Sequence, residues 1–278
     1  MSKNINIIDT KGCEFGYEII MVLPYVHYLH KQNIPLKVLT SRGMKSFYFF
    51  LKEDEYEEKY QKRTWVKPHL LNVPLKTIHF SQLNKIQWEM PNFKEHYQKF
   101  KLNTTFEKEI LLINNKYNFE WSHPPVNFLS VEVLDILLEG LSPYYTIIYN
   151  RPNFINIPED FASTWGEAKL EDFDLIQKKY PNVIDSNELV KQETYDFNTL
   201  QLILGSNCIK QISVQGGNSI LASLTGGTNL VYAVKGHEIT HNSFNKWYSE
   251  FSGALVKSTN NYSELINWVR EYYINSLI

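Results

Sequence analysis

Cysteine is nearly absent: Cys13 and Cys208 are the only two in 278 residues. That excludes a disulfide-stapled framework and fits a reducing compartment. An excess of charge is missing as well, since 28 lysines and arginines stand against 30 aspartates and glutamates, for a net charge of −2. No basic face announces nucleic acid, and no acidic tail announces a basic partner. The opening M-S-K-N-I-N lacks the apolar core of a secretory leader, and the uncharged stretch 211–234 is too broken by Gln, Asn, Ser, Thr and Gly to span a membrane. A cytoplasmic protein acting on small molecules is expected. Glycine is scarce too, 12 in all. Neither G-x-G-x-x-G nor G-x-x-x-x-G-K-[ST] occurs, so hydride transfer and ATP hydrolysis lose ground.

What is present is an alternation of strands and helices. The length predicts two domains at about 150 residues each. Residues 5–8 read as a strand, 9–16 as a loop, and Ile19, Ile20, Val22, Leu23, Val26 and Leu29 as the apolar face of a helix kinked at Pro24. With a strand at 36–40 they make a βαβ unit. From 44 to 106 the pattern blurs, and the charge run 52–63 reads most simply as a solvated helix face. A second rhythm begins at Glu109: strands at 110–114, 145–149, 183–185, 209–214 and 230–234, helices at 131–141, 196–204 and 218–224, and a closing helix over 262–278. Such alternation implies an α/β fold with parallel, two-faced sheets. The expected division is a first domain over 1–105 and a second over 106–278.

Ligands of open α/β sheets bind at the carboxyl ends of the strands. Three of those ends carry polar clusters: Asn114 to Trp121, Tyr149 to Pro152, and Ser213 to Ser219. In the third, a strand stops at Gly216-Gly217, where backbone N–H groups can approach a ligand closely, and the next helix aims its positive dipole end at the same spot. Lys116 and Arg151 supply the cations for a pyrophosphate whose oxygens the Gly216 and Gly217 amides and Ser219 would hold. Asn115, Ser213, Gln215 and Asn218 complete the candidate site as orienting groups.

These residues carry a resemblance. The patterns N-K-Y-N-x-E-W (115–121), P-P-x-N (124–127), I-x-Y-x-R-P (147–152) and S-V-Q-G-G-x-S-x-L-A-S (213–223) are similar to a group of glycosyltransferase-like proteins, and the C-terminal half resembles the donor-binding domain of GT-B glycosyltransferases. The resemblance implies two facing Rossmann-like domains with parallel sheets, an acceptor-side domain first and a nucleotide-sugar domain second. The last helix would pack back on the first domain. It implies transfer of a hexosyl or deoxyhexosyl group from a nucleotide-diphosphate sugar to a glycan or other hydroxyl, as in polysaccharide biosynthesis. No metal or cofactor is implied, because cations and a helix dipole stabilise the leaving diphosphate. An inverting transfer needs a base, which in this architecture comes from the first domain. Glu14, in the loop after the first strand, is the leading candidate, with Glu18 and Asp9 behind it. The alternative is a catalytically silent protein of the same fold that binds nucleotide or glycan.

One motif competes. His237-Glu238-Ile239-Thr240-His241 satisfies H-E-x-x-H, the pattern of zinc hydrolases. It follows a strand and Gly236 rather than opening a buried helix, so no metal site is expected. His237 and Glu238 then fall just beyond a strand end, where the resemblance implies contact with the donor sugar. His123 is the other histidine of interest, and Trp65, Trp88 and Trp121 are candidates for ring stacking or core packing.

Overall fold

The computed structural model describes residues 5–67, 87–119, 124–153, 156 and 169–277. They form two compact units, one of residues up to Pro91 and one of residues from Asn92 onward. Both are α/β, and every strand pairing in them is parallel.

In the first unit, β1 (Asn6–Asp9), β2 (Leu36–Ser41) and β3 (Tyr56–Tyr60) make a three-stranded sheet in the order β1-β2-β3. Between β1 and β2 run α1 (Phe15–Tyr17), a wider turn over Glu18–Val22, and α2 (Leu23–Lys31). Pro24 explains the widening. It has no N–H for the carbonyl of Ile20, so the Leu23 N–H reaches back five residues to Glu18 O, and Trp88 Nε1 donates to Ile20 O at 2.8 Å. The orphaned carbonyl is thereby satisfied. The charge run 52–63, expected as a helix face, holds β3 instead. As an edge strand it pairs on one side only and leaves its glutamates in water, which gives it the composition of a solvated surface.

The second unit holds α3 (Phe93–Tyr97), β4 (Ile110–Asn114), α4 (Val131–Leu141), β5 (Thr146–Asn150), α5 (Asp172–Lys179), β6 (Ile184–Asp185), α6 (Ser186–Leu189), α7 (Phe197–Ser206), β7 (Lys210–Val214), α8 (Gly217–Leu224), β8 (Thr228–Tyr232), α9 (His237–Thr240), α10 (Ser243–Lys246), α11 (Tyr248–Ser252), β9 (Leu255–Thr259) and α12 (Tyr262–Val269). Its six strands lie in the order β6-β5-β4-β7-β8-β9. Chain direction across the sheet therefore reverses between β4 and β7, the doubly wound arrangement whose crevice opens at the carboxyl ends of those two strands.

β4 is buried along its whole length, as its unbroken I-L-L-I requires for a central parallel strand. Ser130 caps α4 by accepting from Val133 N, and its stripe Val133, Leu134, Leu137, Leu138, Leu141 packs on one sheet face with Ile113, Ile147 and Ile212. α12 buries Leu265 and Val269 in this same core, joined by Tyr273 from the turn of helix that follows it. The opposite face is filled by Leu112, Ile148, Leu200, Leu204 and Cys208. No helix among the described residues is long and apolar enough to cross a membrane.

Candidate functional site at the β4–β7 crevice

The β7–α8 turn is set by Gly216, whose φ of +117° belongs to glycine. With no side chain, Gly216 leaves the N-terminus of α8 without a side-chain cap. The amides of Ser219 and Ile220 bond back to Gly216 O, while those of Gly217 and Asn218 fall at the helix start, where the helix itself supplies no acceptor. Lys116, from the loop after β4, lays its ammonium across this turn. A β-carbon on Gly216 would stand 2.7 Å from Lys116 Nζ. A cation and the positive end of a helix repel each other, so their juxtaposition favours an anion bound by both.

Asn115 holds that loop. Its Oδ1 accepts from the N–H groups of Lys116 and Leu129, both at 2.9 Å, and its Nδ2 reaches Leu129 O and Tyr149 OH. Asn218 Nδ2 donates to Asn115 O at 2.9 Å, tying the start of α8 to the same point.

Gln215 sits at the centre of the rim. Its Oε1 accepts from Asn127 Nδ2 at 2.8 Å and lies 3.4 Å from Lys116 Nζ, while its Nε2 donates to Glu238 Oε2 at 2.6 Å. Asn127 also accepts from the N–H groups of Val234 and Lys235 and donates to Lys235 O. The exit of β8 is thus folded over Gln215. Gly236, at φ +148°, permits it, since a β-carbon there would meet Gln215 Nε2 at 2.6 Å.

Arg151 is differently employed. Its Nε lies 2.7 Å from Asp172 Oδ2 and its Nη2 donates to Asp172 Oδ1 at 2.9 Å, with the guanidinium 4.5 Å over the Phe173 ring. Asp172 is fully buried and Arg151 8% exposed. Tyr149 OH donates to Asp172 as well, and burial, reinforced by the Asp172 charge, pushes that phenol well above its usual range. Arg151 and Asp172 therefore act as a fixed pair beneath β5, connected through Tyr149 to Asn115.

The remaining sequence candidates divide. Lys116, Gln215, Gly216, Gly217, Asn218 and Glu238 meet on one rim. Ser219 is buried and donates to Gly216 O, and Ser213 is buried and donates to Asn229, so both hydroxyls brace the turn. His237 is exposed, with its ring parallel to that of His241 and 6.1 Å away. Among the described residues no group of three or more His, Cys, Asp or Glu could hold a metal ion. His123 and Trp121 lie outside the described residues. Trp65 is exposed, and Trp88 is engaged by Ile20. Sequence reasoning assigned no role to Asp172 or to the Asn127 amide. Asn127 had a signal, the polar end of P-P-V-N before a helix, whereas Asp172 looks like any acid in a first helical turn.

In the first unit, Glu14 is exposed in the loop after β1, and its Oε2 accepts from Tyr17 N at 3.0 Å. Asp9 accepts from Tyr60 OH at 2.7 Å. Glu18 is wholly buried, 2.6 Å from Arg63 Nη1 and from Thr40 Oγ1. A carboxylate so enclosed holds the unit together and has no access to an acceptor.

No protein-family model matches the chain, and no curated protein matches it. Among solved structures it is similar to the wall teichoic acid polymerase TagF, at 10% identity and a TM-score of 0.34 over 88% of this chain and 51% of that one. A variant of the same polymerase gives 10% identity and a TM-score of 0.35, over 90% and 52%. The chain spans about half the length of that polymerase.

Proposed function

We propose that the protein is a metal-independent glycosyltransferase of the GT-B kind. It would move a hexosyl or deoxyhexosyl group from a nucleotide-diphosphate sugar to a glycan or other hydroxyl, in cytoplasmic polysaccharide biosynthesis. The observation that carries the reading is the Lys116 ammonium lying across the glycine-set start of α8 at a topological switch point. There the diphosphate accepts from the Gly217 and Asn218 amides and pairs with Lys116, and Glu238 and His237 stand beside the sugar. The acceptor oxygen attacks the anomeric carbon and the bond to the diphosphate breaks, with its electron pair leaving on the phosphate oxygen. The acceptor proton passes to Glu14, the exposed carboxylate after β1. The lysine and the helix start stabilise the leaving charge, which is where the largest electrostatic contribution to such a transfer is made.

Calorimetric titration with a panel of nucleoside diphosphates tests the donor site. One of them binds, and Lys116→Met weakens it by about tenfold or more, the scale of a charge-assisted contact. Binding that ignores Lys116 sinks the assignment. A second reading, a silent binding protein of the same fold, draws on Glu14 serving as a helix cap. Glu14→Gln separates the two: nucleotide-sugar turnover that survives it removes Glu14 as the base, and a native protein that binds without turnover supports the silent form.

A further inference from the structure

The Asn127 side chain, at 2% exposure, uses every polar valence it has, and its partners fix which way round its amide lies. The Val234 and Lys235 N–H groups can only donate, so the atom 2.8 and 3.1 Å from them is Oδ1. Nδ2 then faces Lys235 O and the Gln215 side chain, each at 2.8 Å. A donor at that point obliges Gln215 to present Oε1, which leaves its Nε2 for Glu238 Oε2 at 2.6 Å. Oε1 is also the atom to which Lys116 Nζ reaches, at 3.4 Å. Turned over, the Gln215 amide would set its NH₂ against an ammonium and an amide donor, and its oxygen against a carboxylate. All three contacts would become repulsive.

We infer that Asn127 is a positioning residue that fixes the polarity of the Gln215 amide, and through it the places of Lys116 and Glu238 on the rim. The inference rests on the anion site proposed above, but the orientation is read from backbone groups that cannot change sign. The β8 exit thereby dictates, through two side-chain amides in series, that an acceptor faces the lysine and a donor faces the glutamate. A shared buried network of this kind couples its members, so its substitutions are not additive.

Asn127→Asp tests it. The new carboxylate still accepts from the Val234 and Lys235 N–H groups but offers no donor to Gln215 or to Lys235 O. The Gln215 amide is then left with a repulsive contact either way: its oxygen against the new carboxylate as it lies, or against Glu238, with its NH₂ against Lys116, if it turns over. Glu238→Gln restores a donor at that position. With inorganic pyrophosphate as probe, Asn127→Asp weakens binding by about tenfold or more. Glu238→Gln then raises affinity by about tenfold more in that background than in the native chain. Removing a charge alone raises affinity by the same factor in both backgrounds, so equal factors overturn the inference.

Thermal midpoints of the same four ligand-free proteins give an independent reading: Glu238→Gln recovers at least half of the fall caused by Asn127→Asp. A native chain that fails to bind pyrophosphate defeats the diphosphate reading, and the midpoints then decide the polarity alone, with simply additive shifts overturning it. Should Asn127→Asp not fold, Gln215→Glu reads the same polarity from the other end. Its carboxylate suits Asn127 and Lys116 and repels Glu238, so Glu238→Gln rescues it, and absence of rescue refutes the assignment.

Discussion

The ammonium of Lys116 stands 2.7 Å from the point where a β-carbon on Gly216 would lie, so the lysine occupies the space that the glycine leaves open. Gly216→Ala therefore acts twice. The φ of +117° costs about 1–3 kcal/mol for a residue with a side chain, and the methyl group displaces the ammonium from the start of α8. Urea unfolding reads the first effect. Pyrophosphate affinity, expected to fall by about tenfold, reads the second. Lost stability with unchanged affinity would separate the lysine from the anion site.

Arg151 and Asp172 form a buried ion pair, and a pair of that kind is costly to break from one side only. Arg151→Ala leaves an uncompensated carboxylate beneath Tyr149, and a loss of about 3–5 kcal/mol is expected in denaturant unfolding. Replacing both partners, as Arg151→Met with Asp172→Leu, recovers most of that loss, because no buried charge is left alone. If Arg151→Ala instead leaves the unfolding midpoint in place and abolishes nucleotide binding, the arginine is a ligand and the pairing is secondary.

The expectation that Arg151 would hold a phosphate shows where the sequence is legible and where it is not. Local pattern located β4 as a strand, because the short apolar run I-L-L-I opens a rhythm of strands and helices and ends at a polar loop, and its central place comes from the strand order. It also placed α4, from the spacing of its leucines, and the turn at Gly216, because two adjacent glycines end an apolar run. What it left out depends on distant partners. A charge in a sequence carries no mark of being paired, and the Arg151 partner lies in α5, 21 positions on. Asn127 is joined to Lys235 across 108 positions. β3 and β9 were hidden for a related reason. Both are edge strands: β3 puts Glu57, Glu58 and Lys59 in water, and β9 carries Lys257, which lies over the Trp268 and Tyr272 rings, so neither has the unbroken apolar run of a central strand. The glycine turn after β7 is a local signal, whereas the reversal between β4 and β7 that opens the crevice depends on strand order, which no local pattern carries.

The two thiols give a simple test of the packing. Burial pushes Cys208 up to about 12, and burial followed by the Glu18 charge raises Cys13 as well. At pH 8 the thiolate fraction of a group at 12 is on the order of 10⁻⁴. Ellman's reagent should therefore find no fast-reacting thiol in the native protein and two after denaturation. A rapid native reaction would show that one of the two packing faces is open.

His27 sets the direction of a pH effect in the first unit. Burial chiefly lowers its pKa below the usual 6.5, against the raising influence of its bond to the Glu89 carbonyl, 2.9 Å from Nδ1. The unfolded chain therefore takes up this proton more readily than the folded one. Stability held by neutral His27 is complete above the unfolded value of about 6.5, and it falls as pH drops from there toward the depressed native value. His96, also lowered by burial, adds to the same slope. Urea midpoints measured from pH 7.5 to 5.5 should decline on acidification, and His27→Gln, which keeps a donor for Glu89 but cannot be protonated, should flatten the decline. An identical slope in that variant would assign the pH dependence elsewhere, His96 first.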